Sequence, residues 1–325
     1  MPFKPRFEIE GRAIGEAEPC FVIAEAGVSH FGDLQKAFSL VDLAKAAGAD
    51  AVKFQIFDVD KLISADSEEW KTRLGPRALP YDAFKDIQNY CNQVGIIFLA
   101  TAHEDDALDF LISMEVPAFK IGSGELGNVQ YIEKVLAQNK PVILSTGMYT
   151  EEDVDKVVAL AEDSGNQDVA LLHCVTSYPT EPRDVNLRVI QEYKRKYGCI
   201  SGYSDHTEGI QIPLAAVAIG AEVLEKHISL DFNVPNAQDW KVSCGPSDLP
   251  ELLKQIRTIE AAVGDGKKVP LRKEQENQQW ARKSLVFQRR LNARDEICSE
   301  DLIAKRPGYG ITPAQIDDVI GRRVN

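Results

Sequence analysis

The sequence contains no long apolar run. Nowhere do its 325 residues approach the ~20 consecutive apolar residues of a membrane-spanning helix. The N-terminus, MPFKPRFEIEGRAIG, lacks the apolar centre of a secretory signal, so a cytoplasmic location is expected. Cysteine is scarce: six are scattered along the chain with no CxxC pair. That argues against a disulfide framework and for buried thiols in a reducing compartment. Excess positive charge is missing as well. A net charge of −13 repels polyanions, which makes nucleic acid and anionic membrane poor partners. Histidine is rare too, with five in all. Two of them, His206 and His227, each close a short apolar run.

What the chain does have is alternation. Eight β-rich runs are separated by helical patterns: CFVIAEAG, DAVKFQIF, GIIFLATA, PAFKIGSG, PVILSTG, VALLHCVT, CISGYSDH and AEVLEKHI. They are continuous apolar runs, as parallel strands buried on both faces should be. The stretch DLQKAFSLVDLAKAAGA has helical spacing and ends in glycine. The helix from Thr150 opens with a capping box to Asp153, and Asp248 with Glu251 suggests another. Eight strand–helix units predict an α/β fold, a (β/α)8 TIM barrel, over residues 1–265. An open doubly wound sheet is the alternative. Two long connections, after the second and eighth strands, read as lids or binding loops. The stretch 266–282 reads as a polar linker, and 283–325 as a small β-rich module. That module is basic against an acidic barrel, so it is expected to dock on its own barrel or a partner's.

The strand ends carry the chemistry. Reading them off gives Glu25, Lys53 with Gln55, Thr101, Lys120 with Ser123, Ser145, His173, Ser204 with His206, and Glu225 with His227. In a barrel these side chains meet at one mouth, and burying them is costly unless they are satisfied. His206 and His227, on adjacent strands, suit one divalent metal in a Lewis-acid role; the bland alternative is two core histidines. Lys53, Lys120, Ser123, Ser145 and Ser204, with the glycines of KIGSGE, resemble a phosphate cradle. Either lysine could instead form a Schiff base. Glu25 is a general acid or base, or else a salt-bridge partner. Asp239 binds sugar hydroxyls or is an idle loop residue. His30 and His103 read as loop histidines, and Cys174 as packing.

These stretches together resemble the sialic acid synthase (N-acetylneuraminate synthase, or nonulosonate synthase) family. The matches are IAEAGVSHFGD, GADAVKFQ, FKIGSGEL, ILSTGM, LLHCVTSYPT, GYSDHT, LEKHISLD and KRPGYGI, in order along nearly the whole chain. The resemblance implies a TIM barrel followed by a small antifreeze-like (SAF) module, here short or truncated. It implies condensation of phosphoenolpyruvate with an N-acylated hexosamine to a nonulosonate and phosphate, for surface polysaccharide. It places a divalent metal, typically Mn²⁺ with Mg²⁺, Co²⁺ or Zn²⁺ as alternatives, on His206 and His227. It gives Lys53, Thr101, Lys120, Ser123, Ser145 and Ser204 to phosphoenolpyruvate, and Gln55, Tyr178 and Asp239 to the sugar. Glu25 falls on the proton-transfer position. Arg306 would reach the sugar's acyl group from the other subunit of a domain-swapped homodimer. Other readings are a related phosphoenolpyruvate-dependent keto-deoxy acid synthase, a Schiff-base aldolase, or a non-catalytic sugar-binding relative. The chain departs from the family pattern at Ser29-His30, at Ala100-Thr101-Ala102 and at Ala237-Gln238-Asp239-Trp240. The last change bears on the sugar.

Overall fold

The computed structural model describes residues 3–235, 237 and 239–325. They form two compact units, 1–263 and 264–325. In the first unit the eight expected runs are eight parallel strands: β3 (Phe21–Gly27), β4 (Ala51–Ile56), β5 (Ile97–Ala102), β6 (Phe119–Ile121), β7 (Val142–Ser145), β8 (Val169–Cys174), β9 (Ile200–Asp205) and β10 (Val223–His227). They pair in sequence order, and β10 closes on β3, so the sheet is a barrel and not an open doubly wound sheet.

The helices form for local reasons. Leu34–Ala47 buries Ala37, Leu40, Val41 and Ala44, the spacing of one helical face. Asp33 caps its first amides, and Gly48 ends it at φ 85°, a conformation that favours glycine. The capping box of Thr150 and Asp153 is present. Asp248 behaves differently from the expectation. It is the first helical residue, and its carboxylate reaches back to the Gly245 amide at 3.3 Å, so the cap lies three residues earlier. The long connection after β4 carries helices Val59–Leu62 and Glu68–Leu74.

Two strands precede the barrel. β1 (Arg6–Ile9) and β2 (Arg12–Gly15) form an antiparallel hairpin. Its turn residues Glu10 and Gly11 both have positive φ, at 47° and 77°, as a type I′ turn requires. Phe7, Ile9 and Ile14 join Phe21, Ile23, Leu99, Ile143, Leu172 and Val223 in one buried cluster. The hairpin therefore plugs the N-terminal end of the barrel. The inward residues are apolar up to mid-height and polar above it, which confines polar chemistry to the C-terminal mouth.

The second unit is small. The stretch expected to be a linker holds a helix, Arg272–Ala281. It is followed by two antiparallel strands, β11 (Ser284–Phe287) and β12 (Leu302–Lys305). Ile297, Val319, Ser284 and Asp301 are its buried residues. All six cysteines are free; five are buried and Cys298 is exposed.

Candidate active site

Alternation along the barrel strands decides which side chains reach the mouth. On β3, Phe21 and Ile23 face inward, and so does Glu25, two residues on. The same count brings Lys53 and Gln55, Thr101, Lys120, Ser145, Ser204 with His206, and Glu225 with His227 to a pocket of about 150 Å³. Ser123 and Tyr178 also line it. His173 does not: it is one residue out of phase, and its Nε2 meets the Val185 carbonyl at 2.5 Å outside the barrel wall. Cys174 takes the inward position in its place.

Two lysines and two glutamates form the centre. Lys53 Nζ lies 2.9 Å from Glu25 and 3.6 Å from Glu225, and donates to Thr101 at 3.0 Å. Lys120 Nζ lies 4.0 Å from the other Glu225 oxygen and donates to Ser145 at 2.7 Å. Ser204 donates to Glu225 at 2.9 Å, and Gln55 to Glu25 at 3.0 Å. All four ionisable groups are at most 5% exposed. Charge in such a place survives only by mutual compensation.

The pKa directions follow from this arrangement. Burial pushes the Glu225 carboxyl upward, but Lys120 and Lys53 outweigh it and hold it at about 2. Burial raises Glu25 above the ordinary carboxyl range, and Lys53 only partly opposes this. Burial also works against the charge of Lys53, yet Glu225 and Glu25 keep it above the usual lysine value. Lys120, further from its carboxylate, is lowered by burial. The environment thus separates the two carboxyls: one stays an anion, and the other is suited to carry a proton.

Beside this cluster stand the histidines, with ring centroids 5.3 Å apart. His206 Nδ1 meets the Val175 carbonyl at 2.7 Å, which puts the proton on Nδ1 and a lone pair on Nε2. That Nε2 faces the Tyr178 hydroxyl at 2.9 Å. His227 Nδ1 is buried without a hydrogen-bond partner, and burial lowers its pKa, so the ring is neutral. An orphaned nitrogen next to a second oriented imidazole fits a bound divalent cation. Among the described residues no group of three or more His, Cys, Asp or Glu stands ready to hold a metal. A cation here would have two protein ligands and positions left for other ligands.

Ser123 accepts the Gly147 amide at 2.8 Å. A side chain on Gly147 would meet Thr176 Oγ1 at 2.2 Å and Ser123 Oγ at 2.8 Å, so glycine there lets the Ser123 hydroxyl close on this turn. Asp239 opens a short helical turn, Asp239–Val242, and is half-buried rather than an exposed loop residue. Its carboxylate is near enough to favour protonation of His227. The Trp240 indole donates to Val234 within its own loop at 3.2 Å, and Gln238 lies outside the described residues. Arg306, in the second unit, is exposed and sits 5.6 Å over the Trp280 ring.

Three residues carry more than the sequence suggested. Glu225, noted at a strand end, is the carboxylate that both lysines share. His103 is a loop residue, as expected, but it lines the pocket, and burial with Lys53 and Lys120 lowers it to about 4. His30 is fully buried, with its Nδ1 accepting the Gly32 amide at 3.1 Å.

The chain is similar to several known proteins along most of its length. The N,N'-diacetyllegionaminic acid synthase of Legionella pneumophila is 38% identical over 96% of this chain and 92% of its own. The human N-acetylneuraminate-9-phosphate synthase is 34% identical over 97% of this chain and 91% of its own. A crystal structure of N-acetylneuraminic acid (sialic acid) synthetase from Leptospira borgpetersenii, in complex with citrate, superposes with a TM-score of 0.79. It is 34% identical and covers 84% of this chain and 94% of its own. The model of the NeuB family matches residues 40–268. Over that span and with those relatives, the chain belongs to the NeuB family.

Proposed function

We propose that the protein condenses phosphoenolpyruvate with an open-chain N-acylated hexosamine to give a sialic-acid-like nonulosonate and phosphate. The observation that carries this reading is the buried Lys53–Glu225–Lys120 cluster with its hydroxyls, set against two oriented imidazoles in one pocket. The relatives named above make the same class of sugar acid by name.

Each side chain then has a task. Lys53, Lys120, Thr101, Ser123, Ser145 and Ser204 hold the phosphate and carboxylate of phosphoenolpyruvate, preorganised in a site that excludes most water. Glu225 keeps both lysines charged before the substrate arrives. Glu25, with its raised pKa, moves the proton as water adds to C2, the oxocarbenium-like carbon left once C3 has bonded to the aldehyde carbon. Gln55, Tyr178 and Asp239 orient the sugar. His206 and His227 would hold a divalent cation, Mn²⁺ foremost, which when bound supplies Lewis-acid polarisation of the sugar's aldehyde oxygen. The second unit acts as an antifreeze-like module, and Arg306 reaches the acyl group in the other subunit of a domain-swapped dimer.

The lowered pKa of Lys120 also favours a second reading, a Schiff-base aldolase. Isotope transfer separates the two. Phosphoenolpyruvate labelled with ¹⁸O at the bridging oxygen should deliver the label to phosphate, because the C–O bond breaks after water adds to C2. Label retained in the keto acid, or borohydride trapping of a lysine with substrate, would contradict the synthase reading.

A further inference from the structure

Lys226 and Asp205 form an ion pair that the proposed chemistry does not use. The two side chains are 1% and 0% exposed, and Nζ lies 2.5 Å from Oδ2. A buried pair of this kind is expensive, and apolar residues of similar size often stabilise a fold as well or better. Its presence therefore points to a role other than stability.

The register suggests that role. Ser204 and Glu225 are opposite each other and face the pocket. One residue further along, Asp205 and Lys226 are opposite each other and face the outer side of the wall. They are the last rung of the β9–β10 ladder. The next residue along the chain is in each case a histidine of the site. Lys226 Nζ also donates to the Thr207 carbonyl at 2.8 Å. Asp205 Oδ1 accepts the Thr207 amide at 3.1 Å and its hydroxyl at 2.8 Å. The backbone on both sides of His206 is thus tied to the residue that precedes His227. One cation links the two imidazoles through their own main chains.

We infer that the Asp205–Lys226 pair is a positioning device that sets the spacing and orientation of His206 and His227. The inference rests on reading these histidines as the proposed metal-binding pair, and its test separates the two ideas. The full-length variants Asp205→Asn, Lys226→Met and the double variant are compared with the parent protein. The double variant leaves no unpaired buried charge, so it remains informative where a single change fails to fold.

The first readout is the imidazole ¹⁵N spectrum of metal-free protein. The parent should show His206 fixed as the Nδ1–H tautomer, and the variants should shift or broaden that signal. The second readout is Mn²⁺ affinity by calorimetry, without phosphoenolpyruvate. Its Kd should rise about tenfold or more, the range seen when groups that orient metal ligands are lost. A lower melting temperature with unchanged imidazole signals and unchanged Mn²⁺ affinity in the folded double variant would overturn the inference, since it describes a purely structural pair. If the parent protein binds no Mn²⁺, the metal reading fails by itself, and the metal-free spectra still decide the positioning role.

Discussion

Replacing Glu225 with glutamine should move the basic limb of the pH–rate profile to lower pH and cut kcat/KM on the alkaline side by about a hundredfold. The amide keeps the size of the side chain and can still accept from Ser204. It removes the one carboxylate that lies within 4.0 Å of both Lys53 and Lys120. Unit charges about 4 Å apart attract by about 4 kcal/mol at an effective dielectric constant of ~20. About a third of that is enough to move a pKa by one unit. The sign follows from which form the carboxylate favours. It stabilises the cationic lysines, so its loss lowers their pKa values, and the active cations disappear as pH rises through those lower values. Lys53 retains Glu25 at 2.9 Å. Lys120 keeps only neutral hydrogen-bond partners, Ser145 and the Ile121 carbonyl, with Glu25 acting on it more weakly, and is affected most. On the acid side both lysines stay charged and the loss is small. A basic limb that does not move would show that Glu225 does not set the charge of the phosphate cradle.

The second large effect concerns His206. Its replacement by alanine should reduce chelator-sensitive phosphate release by at least about a thousandfold, since a Lewis acid supplies several kcal/mol to the barrier. Folding should survive. The side chain bonds only to the Val175 carbonyl, the Tyr178 hydroxyl and, at 3.6 Å, the Cys174 thiol. Losing those contacts costs about 1–3 kcal/mol, which circular dichroism and a melting curve would register. A folded His206→Ala protein with full turnover would remove the imidazole from the chemistry.

Much of the barrel was legible because of how parallel strands are buried. Each is covered on both faces, so each appears as an unbroken apolar run, and a polar residue at its end stands out. That same continuity hid the phase. With both faces apolar, VALLHCVT gives no sign whether His173 or Cys174 points inward, and the structure chooses Cys174. Where two polar residues stand two apart, as in Ser204 with His206 or Glu225 with His227, the shared face was already apparent. The role of Glu225 was not, because it depends on cross-barrel distances to two lysines far away in sequence. The N-terminal hairpin left a signal that an inspection for a leader peptide passes over: RFEI and RAIG flank Glu10-Gly11, a turn between alternating residues. His103 and His30 are loop residues, as each follows the end of its strand; that His30 is buried and that His103 lines the pocket depend on the packing around them, which the sequence does not display.

The most direct test is phosphate release from phosphoenolpyruvate with Mn²⁺, across a panel of N-acylated hexosamines, each with a chelator control. The panel includes N-acetylmannosamine and 2,4-diacetamido-trideoxyhexoses. Release should require one of these sugars and stop when the cation is removed. Release that ignores the sugar or the chelator, or no release with any sugar, would contradict a metal-dependent nonulosonate synthase.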